Sequence, residues 1–303
     1  MFRGTFTALV TPFRSGAVDL DALGKLVEQQ IAAGITGVVA VGTTGESPTL
    51  SHDERLSVIR NCVEVAKGRC LVLAGTGSYS TRDAIEASKQ AQAIGVDGLL
   101  IVAPYYNKPS QEGLFQHFST IAQTTSLPIM LYNIPGRCGV DIGVETVLRL
   151  AGACRNIVSI KEASGSVDRV SELRTRLDRA FTILSGDDSL TLPFMSVGAA
   201  GVVSVASNLI PEEVGALVRA YQKGDVQRAA ELHRLCYGMF KDLFVEPNPV
   251  PIKTAMEWNG MVSSEVRLPL CAMSKANQER LRKTFDTFQR VRGAATVPAA
   301  KVA

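Results

Sequence analysis

Residues 157–161 read Ile157-Val158-Ser159-Ile160-Lys161, an apolar run too short for a helix that ends on a charge. It is one of eight such runs, rich in Val, Ile and Leu and each closing in a Gly-, Thr- or Pro-containing turn. They begin near Gly4, Gly37, Cys70, Gly98, Pro128, Ile157, Thr182 and Gly201. Representative cores are Val38–Val41, Leu71–Ala74, Leu99–Ala103, Ile129–Tyr132 and Val202–Val205. Continuous short apolar runs are the pattern of parallel strands buried on both faces. Successive runs start 19 to 33 residues apart, which is room for one strand and one crossover helix.

The intervening segments carry helical periodicity. Leu20, Leu23, Val27 and Ile31 form one apolar stripe, and Leu56, Ile59, Val63 and Ala66 a second. Ser51 followed by Glu54 reads as a capping box opening the second helix. Eight strands alternating with helices predict an α/β fold, a (β/α)8 TIM barrel with a C-terminal helical appendage. A doubly wound open sheet is the competing architecture. It usually has fewer strands and a Gly-rich dinucleotide loop, and Gly75-Thr76-Gly77 lacks the third glycine of such a loop. The eighth helix, roughly Glu212 to Lys223, would complete a catalytic barrel over 1–224. Residues 225–292 read as a helical extension, with Ala229, Leu232, Cys236, Phe240 and Leu243 on one face. Pro247-Asn248-Pro249-Val250-Pro251 is expected to interrupt regular structure there. The small, Ala-rich stretch 293–303 is expected to be a disordered tail.

Composition narrows the function classes. The 303 residues include 32 Lys and Arg against 29 Asp and Glu, a net charge of +3, so no nucleic-acid partner is expected. No apolar stretch reaches the length of a membrane span, and Met1–Phe13 lacks the pattern of a signal peptide, so a cytoplasmic location is expected. The six cysteines never form a Cys-x-x-Cys pair, which favours reduced thiols over a disulfide framework. His52, His117 and His233 are far apart, so no metal site is expected.

In barrel enzymes the chemistry lies at the C-terminal strand ends. Lys161 stands at one of them, and strict alternation would put it on the same side as Ile157 and Ser159. If that side faces the axis, apolar neighbours disfavour the ammonium form, and a free amine can attack a ketone to form a Schiff base. The plainer reading is a surface lysine paired with Glu162. The turn Gly42-Thr43-Thr44-Gly45-Glu46-Ser47 combines close backbone approach with hydroxyl and N–H donors suited to a carboxylate. No Gly-Lys-Ser/Thr follows, so it is not a phosphate loop. Tyr132 ends the neighbouring strand, where a phenol could relay protons. Arg137 lies in the next loop and could clamp a second carboxylate. Each also has a purely structural reading: a plain turn, a core tyrosine, an exposed loop arginine.

Together, Gly42-Thr43-Thr44-Gly45-Glu46, Tyr132-Asn133-Ile134-Pro135-Gly136-Arg137 and Lys161-Glu162 resemble the dihydrodipicolinate synthase / N-acetylneuraminate lyase family of class I aldolases. Pro104-Tyr105-Tyr106-Asn107-Lys108-Pro109 and Ser185-Gly186-Asp187-Asp188 resemble it too, and the likeness runs from about Gly4 to about Leu270. Thr43-Thr44, Arg137 and Glu246–Lys253 are similar to the synthase branch, which joins pyruvate to aspartate-semialdehyde in lysine biosynthesis.

The resemblance implies an imine between Lys161 and pyruvate, and a proton relay of Tyr132, Thr43 and Tyr106. Thr44 would hold the pyruvate carboxylate, Arg137 the aldehyde's carboxylate, and Gly186 and Val203 would line the imine. No cofactor is implied. In the family the residue matching Tyr106 comes from a neighbouring subunit, so a homotetramer built as a dimer of dimers is implied. An inhibitory lysine site would include Ser47, His52, Tyr79, Asp83 and Tyr105. Tyr79 stands where sensitive enzymes carry Asn, Asp83 replaces Glu and Arg55 replaces His, so weak or absent inhibition is expected. Two other readings fit parts of the pattern. One is a different pyruvate-dependent aldolase, such as a 2-keto-3-deoxy-sugar-acid or N-acetylneuraminate lyase. The other is a non-catalytic barrel that binds a keto acid.

Overall fold

The structure is a computed structural model and describes residues 2–296. Its eight parallel strands are β1 (Gly4–Ala8), β2 (Gly37–Ala40), β3 (Leu71–Gly75), β4 (Gly98–Val102), β5 (Ile129–Asn133), β6 (Ile157–Glu162), β7 (Thr182–Ser185) and β8 (Gly201–Ser204). They pair in chain order, and β1 closes the ring between β2 and β8, with Phe6 opposite Gly37 and Val203. Eight helices follow the strands: α1 (Leu20–Ala32), α2 (His52–Ala66), α3 (Thr81–Ile94), α4 (Gln111–Ala122), α5 (Val144–Ala153), α6 (Val167–Arg176), α7 (Thr191–Ser196) and α8 (Pro211–Gln222). A two-residue hairpin, Phe13–Arg14 with Ala17–Val18, intervenes before α1. The chain is a (β/α)8 barrel, and the open-sheet alternative is excluded by the β1–β8 pairing.

Two cores explain why the strands read as unbroken apolar runs. Inside the ring, Phe2, Phe6, Val39, Leu73, Leu100, Met130, Tyr132, Leu184 and Val203 pack together. Outside it, alternate residues such as Val38, Ala40, Leu99, Ile101, Ile160 and Ile183 pack under the helices. The N-terminal mouth is plugged by Phe2 and Phe6, stacked edge to face at 5.9 Å. Gly37 makes room for this plug, since a Cβ there would lie 2.7 Å from the Phe6 ring.

The expected capping box is present: Ser51 Oγ accepts from the Glu54 N–H and Glu54 Oε2 from the Ser51 N–H. The buried face of α2 is nevertheless rotated from the expected stripe. Val58, Ile59, Cys62 and Ala66 point inward, while Leu56 and Val63 lie at its margin. A second correction concerns β6. Its register against β5 shifts between Ile129 and Met130, so Ile157 packs in the outer core and Val158 against the inner one. Ser159 and Lys161 keep their shared inward side, but Ile157 does not share it.

Beyond the barrel come α9 (Val226–Asp242), α10 (Val250–Trp258) and α11 (Lys275–Thr296). The face expected for α9 is buried, with Ala229, Leu232, Cys236, Phe240 and Leu243 in the core. The Pro-rich segment is shorter as a break than expected, because α10 begins at Val250 and carries Pro251 in its first turn. There the missing N–H has no helical acceptor to lose. Helix α11 runs to Thr296, so 293–296 are helical where a tail is expected, and 297–303 lie outside the described residues. Among the described residues no helix is long and apolar enough to cross a membrane.

Candidate active site

The inward side of β6 delivers Lys161 to the C-terminal mouth of the barrel. Lys161 is 4% exposed. Its Nζ lies 4.1 Å from the centre of the Tyr132 ring, contributed by β5 directly opposite it in register. Burial pulls the Lys161 pKa down from 10.5 to about 8, opposed by the carboxylates of Asp187 and Asp188 and assisted by Arg137. Near pH 7 about a tenth of the lysine would then be free amine, far more than for an exposed lysine. Glu162, the neighbour that a surface pairing would need, points the other way. Its carboxylate accepts from Asn133 Nδ2 and from Arg169 Nε at 2.8 Å. The alternation of the strand separates the two charges, and the plain ion-pair reading fails.

Burial pushes the Tyr132 phenol up, while Arg137 and a hydrogen bond with Thr43 hold it down. Thr43, Tyr132 and Lys161 are thus gathered at one place. Gly186 is packed against the lysine stem: a Cβ there would lie 3.1 Å from Lys161 Cε and 2.6 Å from Ala163 Cβ. Val203 belongs to the same inner core as Tyr132. Arg137 lies on a short helical turn, Pro135–Cys138, with its side chain exposed and near enough to both Lys161 and Tyr132 to act on their charges.

The turn after β2 is held under strain. Val41 has φ 56° and Glu46 φ 54°, and a β-branched residue in that region costs on the order of 1–3 kcal/mol. Gly75 permits it, because a Cβ there would fall 2.4 Å from the Val41 carbonyl oxygen. The N–H groups of Gly45, Glu46 and Ser47 close the turn onto Gly42 and Thr43 carbonyls. That leaves Thr43 and Thr44 as its donors toward a ligand.

Three groups holding this turn were not singled out from the sequence. Asn248 Nδ2 donates to Thr44 Oγ1 at 2.9 Å. Lys253 Nζ donates to Glu46 Oε1 at 2.6 Å with both side chains fully buried. The Arg267 N–H donates to Glu46 Oε2 at 3.1 Å. Asn248 and Lys253 lie in the segment Glu246–Lys253 that carries the resemblance, but nothing in its local pattern points to the turn after β2. Asp188 is buried and accepts from Ser204 Oγ and from the N–H groups of Val205 and Ala206, tying β7 to β8.

A cavity of about 350 Å³ runs from Thr43 and Tyr132 outward to Ser47, Tyr79, Asp83 and Tyr105. Tyr79 and Tyr105 meet edge to face at 5.4 Å, and Arg55 Nη2 donates to the Ser47 carbonyl at 2.7 Å. His52 lines an adjoining space of about 240 Å³ with Arg55 and Asp83. Tyr106 is 92% exposed and holds φ 74°. It lines neither space, and neither do Lys161, Thr44, Arg137, Gly186 and Val203. Among the described residues, no group of three or more His, Cys, Asp or Glu is placed to hold a metal ion.

Comparison with known proteins matches residues 1–287 to the model of the dihydrodipicolinate synthetase family. A 4-hydroxy-tetrahydrodipicolinate synthase of Aquifex aeolicus is 49% identical over 288 residues, spanning 95% of this chain and 98% of that protein. The structure of the 4-hydroxy-tetrahydrodipicolinate synthase of Methylacidiphilum fumariolicum SolV superposes with a TM-score of 0.96 at 55% identity, covering 97% of this chain and 98% of that one. A lysine-bound enzyme from Cyanidioschyzon merolae superposes at 0.93 with 40% identity, over 95% and 98% of the two chains.

Proposed function

The chain belongs to the dihydrodipicolinate synthetase family, and on that premise we propose that it condenses pyruvate with aspartate-semialdehyde to 4-hydroxy-tetrahydrodipicolinate, the branch reaction of lysine biosynthesis. The observation that carries this reading is Lys161: buried at the barrel mouth, set over the Tyr132 ring, with a pKa near 8.

The neutral amine attacks the ketone carbon of pyruvate, and the carbinolamine loses water to give the imine. Loss of a methyl proton forms the enamine, whose carbon bonds to the aldehyde carbon of the second substrate while the aldehyde oxygen gains a proton. The amino group of the second substrate then attacks the imine carbon, closing the ring and releasing Lys161 as an amine. Tyr132 and Thr43 carry protons in these steps. Thr44 holds the pyruvate carboxylate, Arg137 the second carboxylate, and Gly186 and Val203 shape the space around the imine. The lysine itself is the electron sink, so the chemistry calls for no cofactor.

Tyr106 would complete the relay from a second copy of the chain, which makes the working form an oligomer, a homotetramer built as a dimer of dimers. Its exposure and left-handed backbone suit a side chain held outward for that purpose. Residues 1–224 would be the catalytic barrel and 225–292 the extension, with the enzyme working in the cytoplasm. Ser47, His52, Tyr79, Asp83 and Tyr105 would form a regulatory pocket that binds lysine weakly. Borohydride with pyruvate should leave a stable adduct on Lys161, and a coupled assay with both substrates should show turnover. Adduct formation that persists in Lys161→Ala would overturn the assignment.

A further inference from the structure

The carboxylate-binding turn is reached from 204 residues away, and only one of the groups that hold it touches a side chain meant for substrate. Lys253 and Arg267 grip Glu46, whereas Asn248 grips Thr44. A hydroxyl has one proton to donate and two lone pairs to accept with. Thr44 Oγ1 uses a lone pair on the Asn248 amide at 2.9 Å. It is 2% exposed and donates to no group among the described residues. Its proton is therefore left for an acceptor that the chain does not supply. Asn248 Oδ1 is buried and finds no partner among the described residues. Turned toward Thr44, that oxygen would take the hydroxyl proton and remove the donor.

We infer that Asn248 is a positioning residue for substrate binding: by presenting its Nδ2 hydrogens to Thr44 Oγ1, it keeps the Thr44 proton for the carboxylate of the keto acid. The inference rests on the proposed reaction, and it gives the appendage a share in the site. Asn248→Asp is the sharpest probe. It keeps the shape but presents only acceptors, so the carboxylate captures the Thr44 proton and sets a negative charge near the substrate's own.

The test measures the pyruvate concentration giving half-maximal borohydride inactivation, together with KM for each substrate, kcat and thermal melting. Asn248→Asp should raise the half-saturating pyruvate concentration by about tenfold or more, the range of a lost charge-assisted hydrogen bond. Asn248→Ala should raise it several-fold. The KM for aspartate-semialdehyde should stay close to that of the unaltered protein. Thr44→Val should show the same rise, with no further rise when combined with Asn248→Ala. If Asn248→Ala does not fold, Asn248→Ser reads the same parameter. Trapping that occurs in every variant at unchanged pyruvate concentrations overturns this inference alone. Absence of any trapping in the unaltered protein overturns the proposed reaction as well.

Discussion

Lys161 should cost the fold stability, and the cost has a definite pH window. Its pKa falls from 10.5 in the unfolded chain to about 8 in the barrel. That depression corresponds to about 3 kcal/mol against the folded state wherever the native lysine is protonated. Below pH 8 both states carry the ammonium and the penalty is complete. Between 8 and 10.5 the unfolded chain binds more proton than the folded one, so stability rises with pH and the penalty fades. Above 10.5 it is gone. Lys161→Met keeps the length and removes the charge, so it should stabilise the protein at pH 7 by up to about 3 kcal/mol, roughly 5 °C in melting temperature. Loss of the ammonium also deprives Asp187 of its cation. Burial already raises the pKa of that carboxyl, and loss of the cation that held it down raises it further, which offsets part of the gain. Thermal unfolding followed by circular dichroism at pH 6.5, 8 and 10 checks the window, each variant compared with the unaltered protein in the same buffer. The gain should be largest at the lowest pH and small at the highest, while pyruvate-dependent trapping disappears. A variant that melts lower at pH 6.5, or whose gain does not change with pH, would show that desolvation is not what sets this lysine's proton affinity.

Other outcomes follow from the same geometry. Tyr132→Phe keeps the ring beneath Lys161 Nζ but loses the phenol, so kcat should fall by about 10²- to 10⁴-fold with the melting temperature little changed. Arg137→Ala, at an exposed position, should raise KM for aspartate-semialdehyde by about tenfold or more and leave pyruvate trapping intact; an equal rise in pyruvate KM would contradict its assignment. Added lysine should inhibit weakly or not at all in the coupled assay, because Arg55 places a cation beside Ser47 and the bulky Tyr79 ring lines the same cavity; half-inhibition below millimolar lysine would refute this.

The strands were legible because a residue in this barrel is buried whichever way it points, so the chain must supply apolar residues without a break. The same fact hides direction. A two-sided apolar run does not say which side of it faces inward, and the slip opposite Ile129 sent Ile157 outward without leaving a mark in the sequence. Lys161 stood out as a charge closing an apolar run, though the same residues also fitted a surface pair with Glu162. Its separation from Glu162 is a matter of strand alternation, once the inward side is known. Asn248, Lys253 and Arg267 were not legible as site supports, since their partners lie 204 to 221 residues away and no local pattern encodes such a contact.

What the sequence determined by itself was the eight strands of the barrel and their alternation with helices, the capped start of α2, the turn that could bind a carboxylate and the chemical types at the strand ends. These depend on short-range spacing and residue type, which the linear chain contains in full. Tertiary structure decided the lowered proton affinity of Lys161, the choice of Glu162 for Arg169, the buried clamp on Glu46 and the contact of Asn248 with Thr44. Each of these depends on desolvation and on partners brought in from distant segments, and neither exists until the ring has closed.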